Sequence, residues 1–125
     1  MPCSTTDFSI EPQTSELALE KIVKINIVKL GQASVGDSAT KKECSNFSLT
    51  PAELQNFFEK TKSVSENDYR HMLDWSPCYV EGELVLSDMS VAAWAIHQYR
   101  AGSIVLESGK TIYIYCPECQ ANAFP

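Results

Sequence analysis

The chain has 125 residues, a net charge of -6, 44% hydrophobic residues and 21% charged residues. This length predicts one domain that buries enough surface to fold without a metal or a disulfide. The acidic balance argues against a nucleic acid partner, because phosphate binding needs clustered Lys and Arg, and the only adjacent basic pair is Lys41-Lys42. No apolar run approaches the roughly 18–20 residues of a membrane span.

The N-terminal part of the chain changes character near residue 17. Residues 1–16 are rich in Ser, Thr, Pro and Glu, which predicts a flexible arm followed by a single domain over 17–125. The alternation Ile25-Asn26-Ile27, among other β-branched residues, predicts a strand over about 21–30. A helix over 16–24 is the competing interpretation.

The strongest local signal is the start of a helix. Residues 31–46 are small and polar and predict a loop. Further on, Thr50 and Glu53 stand three residues apart around Pro51, which is the pattern of a capping box with proline in the first turn. The spacing of the following apolar residues predicts a helix over about 51–62 with one buried face, formed by Leu54, Phe57 and Phe58.

The second half of the chain is typical of an antiparallel sheet. A short helix over about 66–73 precedes it. In the last strand, alternation places Ile112 and Ile114 toward the core and Tyr113 and Tyr115 on the opposite face. We therefore predict an α+β domain in which one amphipathic helix and a second short helix pack on a sheet of about four to five strands. The predicted strands here are 78–86, 91–99, 103–107 and 110–115, with turns at 87–90, 101–102 and 108–109.

The five cysteines allow several chemistries. Cys116 and Cys119 form a Cys-x-x-Cys motif, which fits half of a tetrahedral zinc site that Cys44 and Cys78 would complete. A thioredoxin-like redox motif needs a following helix, for which we expect no room so near the end of the chain. The same four cysteines, without Cys3, form an even set that permits two disulfides in an exported protein. Free buried thiols in a cytosolic protein are the remaining alternative.

Catalytic signatures are missing from the sequence. It contains no phosphate loop, no metalloprotease motif and no dinucleotide fingerprint. The only histidines are His71 and His97, which we interpret as an exposed helical residue and a structural strand residue. A Cys78–His97 nucleophile pair is conceivable, but chain order says nothing about geometry. We therefore predict that the protein is not an enzyme and needs no cofactor.

Four residues are the best candidates for binding a protein partner. Tyr113 and Tyr115 should lie on the sheet face away from the core, and Tyr is enriched at interface hot spots. Glu81 and Glu83 share one face of their strand and add negative charge. An acidic surface with exposed tyrosines favours a basic partner, because complementary charge speeds encounter.

Five short motifs stand in the stretch from Phe47 to Cys119, which is a little over half the chain. They are Trp75-Ser76-Pro77-Cys78, Gly82-x-Leu84, Trp94-x-Ile96, Gly102-Ser103-Ile104 and Tyr113-Ile114-Tyr115-Cys116-Pro117-Glu118-Cys119. Through these motifs the stretch resembles a group of small bacterial proteins of unknown function. Members of that group are often exported to the envelope, which would favour disulfides. In size, acidity and lack of catalytic residues, the chain also resembles bacterial immunity proteins that neutralise a toxin.

These observations predict a non-enzymatic bacterial binding protein, of the immunity or inhibitor type, that acts on a basic toxin partner. The alternatives are an exported envelope domain with a structural role, held by disulfides, and a small zinc-binding module. The protein would be periplasmic if a leader has been removed, and cytoplasmic otherwise. The sequence leaves the oligomeric state open.

Overall fold

The computed structural model describes residues 12–125, and its centre is one sheet of seven strands. The strands are β1 Thr14–Ser15, β2 Ile22–Ala33, β3 Lys62–Val64, β4 Cys78–Leu86, β5 Val91–His97, β6 Ala101–Val105 and β7 Thr111–Tyr115. Their order across the sheet is β1-β3-β7-β6-β5-β4-β2, and all neighbouring strands are antiparallel. The α+β class with one antiparallel sheet is thus confirmed, but the prediction of four to five strands is wrong.

The structure of the N-terminal segment differs from two of the predictions, the flexible arm over 1–16 and the competing helix over 16–24. Residues 1–11 of the predicted arm lie outside the described residues, whereas Thr14–Ser15 form β1 and pair with β3. The competing helix over 16–24 is wrong, because β2 begins at Ile22 and runs antiparallel to β4. Its register with β4 shifts three times, so β2 is an irregular edge strand. Such bulges protect an edge from pairing with other chains.

Three helices lie among the described residues: α1 Ser38–Cys44, α2 Pro51–Lys60 and α3 Glu66–His71. The capping box of α2 is confirmed, because the Glu53 N–H donates to Thr50 Oγ1 at 3.1 Å and the Thr50 N–H donates to Glu53 Oε1 at 2.8 Å. The predicted loop over 31–46 is wrong. Asp37 caps α1 there, and its carboxylate accepts the Thr40 N–H at 2.9 Å.

One face of the sheet, which we call the inner face, carries the core beneath α2. Phe58 of α2 meets Trp94 of β5 edge-on, with ring centroids 5.6 Å apart. Trp94 in turn lies over Gly82 of β4, where an added Cβ would come within 2.7 Å of the indole ring and 1.9 Å of the Asn26 carbonyl oxygen. Only glycine therefore fits at this position. The core also contains Leu54, Phe57, Val80, Leu84, Ile96, Ile104 and Ile114.

The hairpins mostly follow the sequence pattern. The turn predicted at 101–102 is wrong, since Ala101 and Gly102 begin β6. The chain reverses just before them, at Arg100, whose φ of 66° lies in the left-handed region. Arg100 is held there by its guanidinium, which donates to the Cys119 carbonyl at 2.8 Å and to the Pro125 carbonyl at 2.9 Å. This side chain ties the C-terminal segment to the sheet.

Two disulfides complete the fold. Cys44 of α1 joins Cys78 at the start of β4 across 34 residues, and Cys116 joins Cys119 across 3 residues. All four cysteines are buried. The long-range bond fixes α1 against the sheet, whereas the short one closes the loop after β7. No helix in the part of the chain described here is long and apolar enough to cross a membrane.

Candidate functional site

The predicted binding residues share the sheet face opposite α2, which we call the outer face. Strand alternation places Glu81 and Glu83 of β4 on this face, together with Tyr113 and Tyr115 of β7. The two pairs do not touch. In the register of the sheet, Glu81 pairs with Ala95, Ala95 with Ser103, and Ser103 with Tyr113. The two flanks are therefore separated by three strand spacings, about 14 Å.

Small side chains form a floor between the two flanks. Ala93 and Ala95 of β5 lie beside Val105 and Ser103 of β6 on this face, and all four reach solvent. The large apolar side chains Trp94 and Ile96 of β5 and Ile104 of β6, by contrast, point to the inner face. The outer face is thus a shallow trough with a carboxylate flank on one side and a tyrosine flank on the other. An exposed apolar surface with a polar border is typical of an interaction site.

Helix α3 covers part of the tyrosine flank. Its Tyr69 packs on Tyr113 with ring centroids 4.7 Å apart, and the guanidinium carbon of Arg70 lies 6.0 Å from the Tyr113 ring centroid. Burial raises the pKa of Tyr69, and neighbouring Tyr113 adds to the effect while Arg70 opposes it. Tyr113 is therefore held in place by α3. Tyr115, farther along β7, remains half-buried.

A groove of about 200 Å³ opens at one end of the trough. His97 and Ala95 form part of its base, and the exposed Trp75 stands at its margin. The rings of Tyr69 and His97 are 6.1 Å apart. Apolar and aromatic walls with a few polar groups are the usual composition of a recognition pocket. The complete lining is Ser34, Tyr69, Trp75, Ser76, Tyr79, Ala95, His97, Gly102 and Ser103.

His97 is the polar group at the base of this groove. The Tyr99 backbone N–H donates to His97 Nδ1 at 3.0 Å, so the neutral ring carries its proton on Nε2. Burial lowers the pKa of His97 to about 4, although the negative charge of Asp74 opposes the shift. The imidazole is therefore neutral at pH 7, and its Nε2–H is a hydrogen-bond donor rather than a charge. We find no partner for this donor among residues 12–125.

The carboxylate flank carries unpaired negative charge. The ion pairs among the described residues are Lys62–Glu16 and Arg70–Glu66, so neither Glu81 nor Glu83 takes part in one. Their neighbours on β2 are Lys29, opposite Glu81, and Asn26, opposite Glu83. Glu83 is exposed and Glu81 half-buried. Both can therefore accept a cationic group from a partner.

Four of the five cysteines are paired in disulfides. Of the connectivities that the sequence permits, the structure has Cys44–Cys78 and Cys116–Cys119, while Cys3 lies outside the described residues. In disulfides, these four sulfurs offer no thiolate to zinc. Within residues 12–125 no group of three or more His, Cys, Asp or Glu is placed to hold a metal ion. The zinc alternative stays a prediction that metal analysis can test.

The imagined nucleophile pair is not assembled. Cys78 is bonded to Cys44, and its side chain lies on the inner face of the sheet, whereas that of His97 lies on the outer face. Sequence reasoning interpreted His97 as structural and did not select Tyr69, Trp75 or Tyr79 for the site. Tyr69 packs against Tyr113 and lies near His97, so it connects the tyrosine flank to the groove. It reaches the sheet only because α3 folds back onto β7. No periodicity in the sequence carries that information.

Comparison with known proteins adds no identification. No family model, no curated protein and no solved structure matches the chain. The resemblance to small bacterial proteins therefore stays a prediction.

Proposed function

We propose that the chain is a non-enzymatic binding protein, of the immunity or inhibitor type, whose outer face receives a basic segment of a protein partner. The observation that carries the proposal is the trough itself. It combines a small-residue floor, the unpaired carboxylates of Glu81 and Glu83, and a fixed aromatic ring at Tyr113.

The trough suits an extended chain that carries Lys or Arg. A basic side chain lying over Ala95 and Ser103 has a carboxylate on one side and a tyrosine ring on the other. The carboxylate offers a charge-assisted hydrogen bond, and the ring offers a cation–π contact. At the end of the trough, the His97 Nε2–H can donate to a carbonyl oxygen of the same segment. These contacts supply specificity and a fast encounter with a cationic partner.

Affinity capture from the native host tests this proposal. The full chain is used as bait beside the variant E81K/E83K and a matched control, E43K/E118K. The control changes the net charge equally at exposed positions outside the trough. We expect a partner with a basic surface that wild type and the control retain and the trough variant loses. Recovery of no partner at micromolar concentration, or equal recovery by both variants, would contradict the proposal.

The disulfides favour a second candidate, an exported envelope domain with a structural role. Two disulfides among the described residues are compatible with an oxidising compartment. Intact mass with and without reduction, measured on protein from the native host, tests this directly. Protein lighter than its reduced form by two hydrogens for each of the two disulfides supports export. Alkylation of all five cysteines in the unreduced native protein would contradict it.

A further inference from the structure

A second concave surface lies on the other side of the molecule, between β2 and α2. The cleft there has a volume of about 750 Å³. This value falls in the range of roughly 300–1,000 Å³ that small-molecule sites occupy. The segment before β2 forms one wall, β2 the second, and one side of α2 the third. The cleft shares no residue with the trough floor or with the groove around His97.

The walls of the cleft are aliphatic and aromatic. Two side chains from α2, Leu54 and Phe58, are buried at its base. Water reaches the remaining aliphatic side chains, since Val23 is exposed and the other five are half-buried. An apolar ligand would remove that surface from water, which is the main source of free energy for such binding. These half-buried side chains are Leu17, Leu19, Ile22, Ile25 and Ile27.

The rim of the cleft carries one more positive than negative side chain, although the protein as a whole is acidic. Four lysines and three glutamates line it, although the net charge of the chain is -6. Lys62 is paired with Glu16 at 2.9 Å. Lys21 and Lys60 are exposed and form no ion pair with a residue between 12 and 125. They remain available to an anion at the mouth of the cleft.

We propose that this cleft binds a free fatty acid. The alkyl chain lies along the aliphatic wall formed by Ile22, Ile25 and Ile27, and the carboxylate lies at Lys21 and Lys60. The cleft suits both parts of this ligand, because the apolar wall for the alkyl chain and the lysines for the carboxylate line the same opening. The proposal is independent of the trough, and either can fail without the other.

A fluorescent fatty acid provides the probe. The full chain, with its disulfides intact, is titrated with cis-parinaric acid below its micelle concentration. The rise in probe emission reports binding. Energy transfer from Trp94 reports its place, because the indole contacts the cleft residue Phe58. This transfer is measured in a W75F background, since the chain has a second tryptophan at position 75. We expect saturable binding of one probe for each chain, with displacement by palmitate. Failure to saturate would overturn the proposal.

Two variants locate the ligand. I25E places a charge in the apolar wall and should weaken binding at least about tenfold. K21Q/K60Q changes only exposed side chains, so its fold is preserved whatever happens to I25E. It should weaken binding of the acid about two- to tenfold, because exposed ion pairs are individually weak. It should leave binding of the corresponding fatty alcohol unchanged.

The matched control is K41Q/K42Q, which removes the same charge from exposed positions of α1 outside the cleft. It should bind the acid like wild type. Equal affinities of K21Q/K60Q and K41Q/K42Q would overturn the proposal, as would equal affinity of the wild type for acid and alcohol. Binding to neutral phosphatidylcholine vesicles as strong as that to the free acid would assign the cleft to a membrane surface instead.

Discussion

The two faces of the sheet are built from adjacent residues of the same strands, yet they differ in almost every respect. On the inner face, Trp94 and Ile104 are buried under α2. On the outer face, their chain neighbours Ala93 and Val105 reach solvent. One face is filled by large side chains that meet a helix. The other carries small side chains between tyrosines and carboxylates.

This difference shows that the inner face stabilises the fold, whereas the outer face is available to bind a partner. The inner face must be apolar and closely packed, because burial there is the main favourable term in folding. The outer face contributes less to the stability of the fold, because α3 covers only its tyrosine flank and the rest of the face reaches solvent. Its composition is therefore not dictated by the core. Small residues in the middle of a sheet face leave room for another chain.

The largest expected effect is the loss of the central side chain of the inner face. W94A should lower the free energy of unfolding by about 3–5 kcal/mol, because it leaves a cavity between Gly82 and Phe58. The matched outer-face variant V105A should lower it by less than about 1 kcal/mol. Urea denaturation of both variants provides the measurement. Similar losses would mean that the two faces contribute equally to folding.

The long-range disulfide should stabilise the fold more than the short one. Removing the Cys44–Cys78 bond with C44A/C78A should lower the free energy of unfolding by about 3–4 kcal/mol, because its 34-residue separation restricts the unfolded chain strongly. C116A/C119A, with a separation of 3, should lower it by about 2 kcal/mol. Chemical denaturation gives both values. The reverse order would contradict the assigned connectivity or its role.

His97 should make the outer face sensitive to acid. Its pKa is 6.5 in an unfolded chain and about 4 in the fold, because burial disfavours the imidazolium. Below pH 6.5 the unfolded state takes up a proton that the folded state does not. The stabilisation present above pH 6.5 is therefore lost as the pH falls toward 4, up to about 3 kcal/mol.

Variants isolate this contribution. Denaturation curves at pH 7 and near pH 4 should differ less for H97Q than for wild type, because the substituted side chain does not titrate. The control H71Q, at an exposed position of α3, should keep the wild-type difference. An unchanged difference in H97Q would show that other groups govern acid sensitivity.

The smallest expected effect is on the trough floor. A93K places a charge on an exposed outer-face position and should change the free energy of unfolding by no more than about 0.5 kcal/mol. The neighbouring A92K, buried on the inner face, should abolish folding or destabilise it severely. Thermal denaturation distinguishes them. Severe destabilisation by A93K would mean that the outer face is covered.

Local chemistry explains which elements could be predicted. Thr50 and Glu53 specify the start of α2 through their own hydrogen bonds, and Ser108-Gly109 supplies a turn between β6 and β7. By contrast, β1 and β3 have two and three residues, too few to show an alternation. The sequence does not predict α1, although Asp37 is a good N-cap, because this helix has little apolar periodicity.

The candidate site was predictable only in part. Alternation in β7 predicts that Tyr113 turns away from Ile112 and Ile114. The proximity of the Tyr69 ring to those of Tyr113 and His97 depends on how α3 packs on the sheet. Disulfide connectivity likewise depends on distances that only the folded chain defines. Contacts between distant elements are the part that one sequence does not reveal.

The claim that the outer face is the binding surface is tested most directly by blocking the trough with a large side chain and measuring the affinity for the captured partner. A95W places a large side chain on the floor opposite Ser103, and A52W places the same side chain on an exposed position of α2 as the control. We predict that A95W, with unfolding free energy near that of wild type, binds the partner at least about tenfold more weakly by calorimetry. A folded A95W that binds the partner as tightly as A52W does would contradict the assignment of the outer face as the binding surface.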